Sequence, residues 1–241
     1  MNDRKAIRNP IVPLELMRVA IERYAPDGHQ RFFDPMIFPW VAELEANWQV
    51  IRNDLDRALE EREKIPRFGD LTRRQAAFAG VRWNALWLYI YGERVDENAD
   101  RYAATDALLR KIPGMKTAMF SILDGNAKIP PHHGPYKGVL RYHLGMIVPQ
   151  EGPSCAIRVD NEVRSWKEGR SLLFDDTYEH EVWNDDPRPR VVLFLDVLRP
   201  LPPVLDVVNR GILRVTKHAG EVRHATRTAS QFAKGIKNGK G

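Results

Sequence analysis

Histidines are unevenly distributed along this 241-residue chain, because three of its seven lie in the segment IPPHHGPYKGVLRYH, which ends at His143. His132 and His133 follow two prolines, where a loop is expected to enter a strand, and His143 lies in a strand-like run. His180 belongs to a second segment, FDDTYEHEVW. An imidazole can bind a metal, accept a proton or join a buried polar network. All three roles are open for these residues.

A metal site is the most specific of these roles. Two neutral imidazoles on facing strands suit a divalent first-row metal, and non-haem Fe(II) oxygenases combine two histidines with one carboxylate. The acid usually follows the first histidine by two residues, but Gly134 follows His132 and Pro135 follows His133 at that spacing. The spacing alone therefore gives a weak indication of a metal. We interpret the other histidines as surface or core residues: His29, His218 and His224.

The pattern of predicted secondary structure changes from helices to strands near Thr117. Before it, an apolar stripe with a spacing of three and four predicts an amphipathic helix. The stripe consists of Phe38, Val41, Leu44, Trp48, Ile51, Leu55 and Leu59. Further helices are expected from Pro13 to Tyr24 and from Asn98 to Lys111. After Thr117, short β-branched and aromatic runs alternate with turn formers, which is typical of a sandwich or jelly roll.

Composition restricts the class of protein. The chain is 43% hydrophobic and 29% charged, which is ordinary for a globular protein. No stretch approaches the roughly 18 apolar residues that a membrane span requires. The single cysteine, Cys155, excludes an internal disulfide framework, and the segment MNDRKAIRNP lacks the apolar core of a signal peptide. A cytoplasmic location is therefore expected.

Positive charge is concentrated in residues 204–241, which contain eight Lys or Arg against two acids and carry +6 in a chain of net charge +5. Residues 204–218 are expected to form a helix packed on the β region, with the last twenty residues loose. The apolar face of the helix expected over residues 204–218 consists of Leu205, Val208, Ile212 and Val215. Peripheral contact with an anionic membrane is the alternative. Nucleic-acid binding is not expected, because aromatic residues do not alternate with the basic ones.

Three ordered blocks resemble the aspartyl/asparaginyl β-hydroxylase family: PHHGPYKGVLRYHLGMIVP, SWKEGRSLLFDDTYEHEVWN and RVVLFLDVLRP. The resemblance runs from about Phe33 to Pro200 and is strongest from Ser121. It implies a double-stranded β-helix, a cupin-like jelly roll with N-terminal helices and a C-terminal helix. It also implies an enzyme that hydroxylates an unactivated C–H bond with Fe(II), 2-oxoglutarate and dioxygen. The expected organisation is an irregular segment 1–34, an oxygenase domain 35–203 and a basic helix and tail 204–241.

The resemblance also assigns metal-site residues. In this family H-x-G-P replaces the histidine-x-acid pair, so His132 and His180 are the expected ligands and Gly134 stands where the acid would be. Asp176 is the expected acid behind the ligands, accepting a hydrogen bond from metal-bound water. His133 occupies a variable position and is expected to be a neighbour of the site.

Other matched residues are expected to bind 2-oxoglutarate. Arg190 matches an arginine that pairs with the distal carboxylate in the bidentate manner of a guanidinium, and Ser121 matches a hydroxyl that shares this carboxylate. Arg141 and His143 alternate along one strand and face the same way. The resemblance places both near the other end of 2-oxoglutarate and the substrate. Trp83 is expected to form a pocket wall.

The sequence leaves the substrate open. Peptidyl-aspartate hydroxylases carry a further arginine two residues before the strand arginine, where this chain has Val139. The segment GPYKGVLRYHLG is more similar to the bacterial lipid A hydroxylases, so lipid A or another acyl chain is favoured. A peptide Asp or Asn side chain and a free small molecule are alternatives. Outside the enzymes, a cupin-like module that only binds a ligand is the alternative.

Overall fold

Two β-sheets that face each other form the centre of the computed structural model, which describes residues 12–70, 78, 80–149, 152–217 and 220–237. The described helices are α1 Val12–Tyr24, α2 Val41–Ala46, α3 Trp48–Leu59, α4 Asp96–Arg101, α5 Ala103–Leu109, α6 Pro203–Lys217 and α7 Gly220–Lys237. The described strands are β1 Phe32–Phe33, β2 Trp83–Ile90, β3 Glu93–Arg94, β4 Met115–Leu123, β5 Ala127–His132, β6 Val139–Ile147, β7 Cys155–Val159, β8 Glu162–Ser165, β9 Ser171–Phe174, β10 His180–Asn184 and β11 Arg190–Leu198.

The strand order is that of a double-stranded β-helix with flanking helices, as the resemblance implies. The larger sheet has the order β1-β9-β6-β11-β4-β2-β3 and the smaller sheet the order β5-β10-β7-β8, with antiparallel neighbours. The inner faces enclose one apolar core, and α2, α3 and α5 cover the outer face of the larger sheet with a second. Because both faces are covered, β4 and β11 are apolar and buried almost throughout.

The N-terminal helices follow the predicted apolar pattern but are interrupted. The helix expected from Pro13 to Tyr24 is confirmed as α1. The long amphipathic helix is divided at Asn47, whose side-chain Nδ2 donates to the carbonyl of Glu43 at 2.8 Å. Such side-chain bonds to the backbone compete with helix continuation. The predicted helix from Asn98 is divided at Tyr102, where the ring is buried and the backbone leaves the helical region.

The prediction for the C-terminal segment is partly wrong. The last twenty residues were expected to be loose, but α7 extends from Gly220 to Lys237. Its buried face consists of Ala225, Ala229 and Ala233, and these small side chains allow α7 to lie close to α4 and β2. On α6, Leu205 and Ile212 pack against the α1 cluster, as expected. Val208 and Val215, on the same predicted face, are exposed.

None of the helices within the described ranges is both long enough and apolar enough to cross a bilayer. The boundaries proposed at residues 34 and 203 stay predictions.

Candidate active site

Two histidines face each other at the open end of the smaller sheet. His132 ends β5, His180 begins β10, and the two are paired in the strand register with ring centroids 4.0 Å apart. Each Nδ1 lies against a backbone carbonyl two residues earlier, that of Pro130 at 2.8 Å for His132 and that of Tyr178 at 3.0 Å for His180. We assign the proton to Nδ1 in both rings. Each Nε2 then offers a lone pair, as metal-ligating histidines do.

Burial keeps this histidine pair neutral. It lowers the pKa of His132 to about 4. The pKa of His180 is lowered well below its ordinary value, first by burial and then by the neighbouring His132. Within the described ranges, no three His, Cys, Asp or Glu side chains are grouped to hold a metal ion. Neutral imidazole is the form in which histidine binds a metal.

A carboxylate fills the space beside Gly134. A Cβ at this glycine would lie 2.0 Å from Oδ2 of Asp176, and the Gly134 amide donates to the Asp176 carbonyl at 2.6 Å. Nη1 of Arg141 lies 2.8 Å from Asp176 Oδ2, an ion pair without hydrogen-bond geometry, so neither carboxylate oxygen has a hydrogen-bond donor among the described residues. Burial raises the pKa of Asp176 to about 7, against the effect of Arg141.

Arg190 is a buried cation at the start of β11. Arg190 is 1% exposed, and its Nε and Nη1 have no hydrogen-bond partner in the part of the chain that is described. The guanidinium carbon lies 4.6 Å from the ring centre of Trp166, and burial lowers the pKa of Arg190 to about 10. An unpaired buried charge is unfavourable. The arrangement therefore suits an anionic ligand.

Ser121 and Trp83 lie on the strands beside Arg190. Arg190 is paired with Leu123 of β4, which is paired in turn with Trp83 of β2. The indole Nε1 of Trp83 donates to Ser121 Oγ at 2.9 Å. Because the serine oxygen accepts this bond, its own O–H can donate to a ligand. Trp83 thus orients the serine, and its predicted role as a pocket wall stays a prediction.

Arg141 and His143 point to one side of β6, as alternation predicts. Both contact the ring of Phe194, at 4.3 and 5.2 Å. Nδ1 of His143 accepts from Trp166 Nε1 at 3.3 Å, and its Nε2 has no partner within the described ranges. The pKa of His143 is lowered well below its usual value, first by burial and then by Arg190. A neutral His143 that accepts at Nδ1 therefore carries its proton on Nε2 and can donate from it.

Direct contacts join the eight predicted residues into one site. The ring of Phe174 lies 5.1 Å from that of His143 on the larger sheet and 6.1 Å from that of His180 on the smaller. Phe78 similarly contacts Trp83 and His132, at 5.4 and 5.0 Å. No role was predicted for these two phenylalanines or for Trp166, although Phe174 and Trp166 belong to the quoted block SWKEGRSLLFDDTYEHEVWN. Whether these side chains point into the site depends on how the strands pair, and the sequence pattern does not show this.

Three residues beside the site bear on which substrate fits and on which of the adjacent histidines binds a metal: Val139, Phe68 and His133. Val139 packs in an apolar cluster with α1 and α6. The aromatic wall beside His132 continues from Trp83 to Phe68, whose ring is stacked at 3.7 Å. His133 lies outside the histidine pair, with its Nδ1 3.0 Å from the carbonyl of Thr177.

Known proteins match this chain over most of its length. The model of the family described as aspartyl/asparaginyl β-hydroxylase matches residues 45–200. An ornithine lipid ester-linked acyl 2-hydroxylase of Rhizobium tropici is 41% identical over 194 residues, covering 80% of this chain and 69% of that protein. A human aspartyl/asparaginyl β-hydroxylase is 37% identical over 174 residues, covering 66% of this chain and 21% of that protein. A solved prolyl-4-hydroxylase of Pseudomonas putida is 18% identical with a TM-score of 0.41, covering 64% of this chain and 88% of that one.

Proposed function

Because the chain belongs to the aspartyl/asparaginyl β-hydroxylase family and is a hydroxylase, we propose that it uses Fe(II), 2-oxoglutarate and dioxygen to hydroxylate an acyl chain of a lipid. The observation that carries this proposal is the buried guanidinium of Arg190, whose Nε and Nη1 lack hydrogen-bond partners among the described residues. This guanidinium contacts Trp166, whose indole donates to His143, and the ring of Phe174 lies between those of His143 and His180. A dicarboxylate fits both the guanidinium and the histidine pair, since one carboxylate can pair with the cation while the other end reaches the metal.

Each side chain then has a separate task. His132 and His180 hold the metal through Nε2, and Asp176 accepts a hydrogen bond from water at the metal. Arg190 binds the distal carboxylate of 2-oxoglutarate, and Ser121 donates to the same group. Fe(II) with bound 2-oxoglutarate supplies the oxidation of the C–H bond by dioxygen, with release of succinate and carbon dioxide.

The remaining polar residues position these groups. Arg141 is held between Asp176 and Asp196, with its Nε donating to Asp196 at 3.0 Å. It thereby fixes the direction of the Asp176 carboxylate. His143 is fixed by Trp166 and donates from Nε2 toward the bound cosubstrate or substrate.

Three observations support an acyl substrate. The wall beside His132 is aromatic, formed by Phe78, Trp83 and Phe68. Val139, where peptidyl-aspartate hydroxylases are expected to carry an arginine, packs against the apolar cluster of α1 and α6 described above. The Rhizobium relative is named for an acyl chain. The human relative is named for aspartyl and asparaginyl residues, so a peptide is the alternative substrate, with a small molecule as a third.

The experiment that tests the proposal measures binding and turnover separately. Fe(II) and 2-oxoglutarate are titrated under anaerobic conditions, and succinate release is then measured with ornithine lipid, lipid A and Asp- or Asn-containing peptides. We expect both components to bind and an acyl lipid to gain one oxygen atom. Oxygen incorporation into peptides alone would replace the lipid by the peptide. Failure to bind Fe(II) and 2-oxoglutarate would contradict the enzyme class and favour a simple binding module.

The position of the acid gives a second test. Asp176→Ala removes the carboxylate, and Gly134→Asp places a side chain where the Asp176 carboxylate lies, so each single variant is expected to lose at least about tenfold in kcat. The double variant Gly134→Asp/Asp176→Ala supplies an acid from the other loop without this collision. It is expected to be more active than either single variant, a non-additivity measured by a double-mutant cycle. Losses that simply add would show that the two positions are not interchangeable.

We also propose peripheral contact with a membrane through α6. Its outer surface exposes apolar side chains and two cations, Arg214 and Arg210, of which Arg210 pairs with Asp206 at 2.7 Å. The apolar side chains are Val204, Val207, Val208 and Val215. Such a surface suits the interface of an anionic bilayer. It would also bring a lipid-hydroxylating enzyme to its substrate.

Charge reversal on α6 tests this contact. Each basic residue near an anionic leaflet contributes about 1 kcal/mol, so Arg210→Glu/Arg214→Glu is expected to reduce binding to anionic liposomes by about tenfold or more at low salt. The control Lys128→Glu/Arg170→Glu makes the same charge change at exposed positions elsewhere and should bind as the unaltered protein does. Sedimentation with liposomes at low and high salt measures both. Equal losses in the two double variants, or no binding by the unaltered protein, would contradict the assignment to α6.

A further inference from the structure

The loop that follows His132 is held from outside the β-sheets by the C-terminal helix α6. Asn209 on this helix is fully buried. Its Nδ2 donates to the Gly138 carbonyl at 2.8 Å, and its Oδ1 accepts from the Tyr136 hydroxyl at 2.6 Å. A Cβ on Gly138 would lie 2.1 Å from Asn209 Oδ1. The amide therefore occupies a space that exists only because residue 138 is glycine.

The same loop is held from inside by the segment that carries Asp176. Lys137 lies between the two residues bound by Asn209, and its Nζ lies 2.9 Å from Asp175 Oδ2 and 3.6 Å from Glu22 Oε1 on α1. Asp175 is also bound by Arg199 at 2.7 Å, and the side chains of Lys137, Asp175 and Arg199 are almost completely buried. Together with the Gly134–Asp176 backbone bond, these contacts fix the inner side of the loop. From α6, Asn209 provides two side-chain hydrogen bonds to the loop.

We propose that Asn209 is a positioning residue for the metal-binding loop, so that α6 belongs to the catalytic unit although it lies beyond the family-matched segment 45–200. The proposal rests on the proposed function, because the loop begins at the assigned ligand His132. Without Asn209, the buried Tyr136 hydroxyl would lose its partner, and the Gly138 carbonyl would keep the Arg199 amide, which donates at 3.2 Å, but lose its side-chain donor. Buried polar groups are rarely left unsatisfied. The loop would then shift, and a displacement of about 1 Å can lower a reaction rate about a hundredfold.

Asn209→Leu removes both hydrogen bonds while keeping a side chain of similar size. Asn98→Leu is the matched control, because Asn98 is also a buried helical asparagine whose Nδ2 donates to a backbone carbonyl, that of Trp87 at 2.8 Å. A third variant, Tyr136→Phe, removes only the hydroxyl and leaves the ring in its apolar cluster. It keeps the test available if Asn209→Leu does not fold.

The first readout is amide hydrogen exchange of residues 133–138 in the metal-free protein, which does not depend on catalysis. We expect about tenfold faster exchange in Asn209→Leu, a smaller increase in Tyr136→Phe and no local change in Asn98→Leu. Unchanged exchange in both loop variants, or equal acceleration in the control, would overturn the proposal.

The second readout is kinetic and separates positioning from general destabilisation. In Asn209→Leu, kcat for hydroxylation is expected to fall about tenfold, with more succinate released per hydroxylated product. The KM for 2-oxoglutarate should not change, because Arg190 and Ser121 lie on β11 and β4, away from this loop. A rise in KM with kcat unchanged would contradict positioning. If the unaltered protein turns over no 2-oxoglutarate, the proposed function fails, whereas the exchange result still decides the role of Asn209.

Discussion

Replacement of His132 or His180 by alanine is expected to abolish 2-oxoglutarate turnover while the protein stays folded. The two rings supply both protein ligands that we assign to the metal, so removal of either leaves one. Each histidine lies at the end of its strand, where truncation leaves the central ladder of the sheet in place. Succinate release measures the loss of turnover, and thermal unfolding monitors the fold. Titration with Fe(II) under anaerobic conditions should show weakened binding in both variants.

His133→Ala is the matched control for this experiment. His133 adjoins a ligand in sequence, but its Nδ1 contacts the Thr177 carbonyl and its ring is not part of the histidine pair. Loss of one such hydrogen bond costs about 1 kcal/mol, so turnover should persist. If His133 were essential and His132 dispensable, the assignment of the ligands would be wrong by one residue.

The acid behind these ligands shows what the sequence can and cannot predict. The sequence reveals that no acid follows His132 at the usual spacing, and the family resemblance suggests Asp176 as the substitute. It does not reveal that the Asp176 carboxylate lies where the missing side chain would start, because the two loops are distant along the chain. A contact between loops depends on how the two sheets pack, and local patterns contain no information about it.

Side-chain direction limited the prediction in other places. Trp166 belongs to a quoted block, but a lone tryptophan at a strand end is ordinarily a core residue. Its contacts with Arg190 and His143 follow only from the packing of the two sheets. The α7 helix was missed for a different reason. Alanines at a spacing of four give a weak apolar signal, yet they permit close packing of a helix.

Helix interruptions were missed because the apolar period continues through them. Apolar residues before and after Asn47 cover the same core, so a pattern of core positions cannot show a local change of the backbone. By contrast, the position of the β region and the fold class were predictable. Alternation and turn residues in that region are local properties, and the three blocks occur in the order that the family requires.

Arg190→Met is expected to raise the concentration of 2-oxoglutarate required for turnover about a hundredfold or more, because loss of one partner of a buried charge pair costs roughly 3–5 kcal/mol. The KM from succinate release measures this change. Arg188→Met is the control, since Arg188 lies two residues away, is exposed and pairs with Asp186. It should leave the KM unchanged.

Although Arg190→Met weakens the binding of 2-oxoglutarate, it is expected to make the ligand-free protein more stable. Without a ligand, Arg190 is a buried cation that lacks hydrogen-bond partners for Nε and Nη1 among the described residues, so methionine should raise the Tm of the ligand-free protein. The variant should also lose the increase in Tm that 2-oxoglutarate gives the unaltered protein. An unchanged requirement for 2-oxoglutarate would mean that another cation binds the distal carboxylate. Arg141 is another cation of the site, but Asp176 and Asp196 already neutralise it, and we therefore expect Arg190 to be essential for this binding.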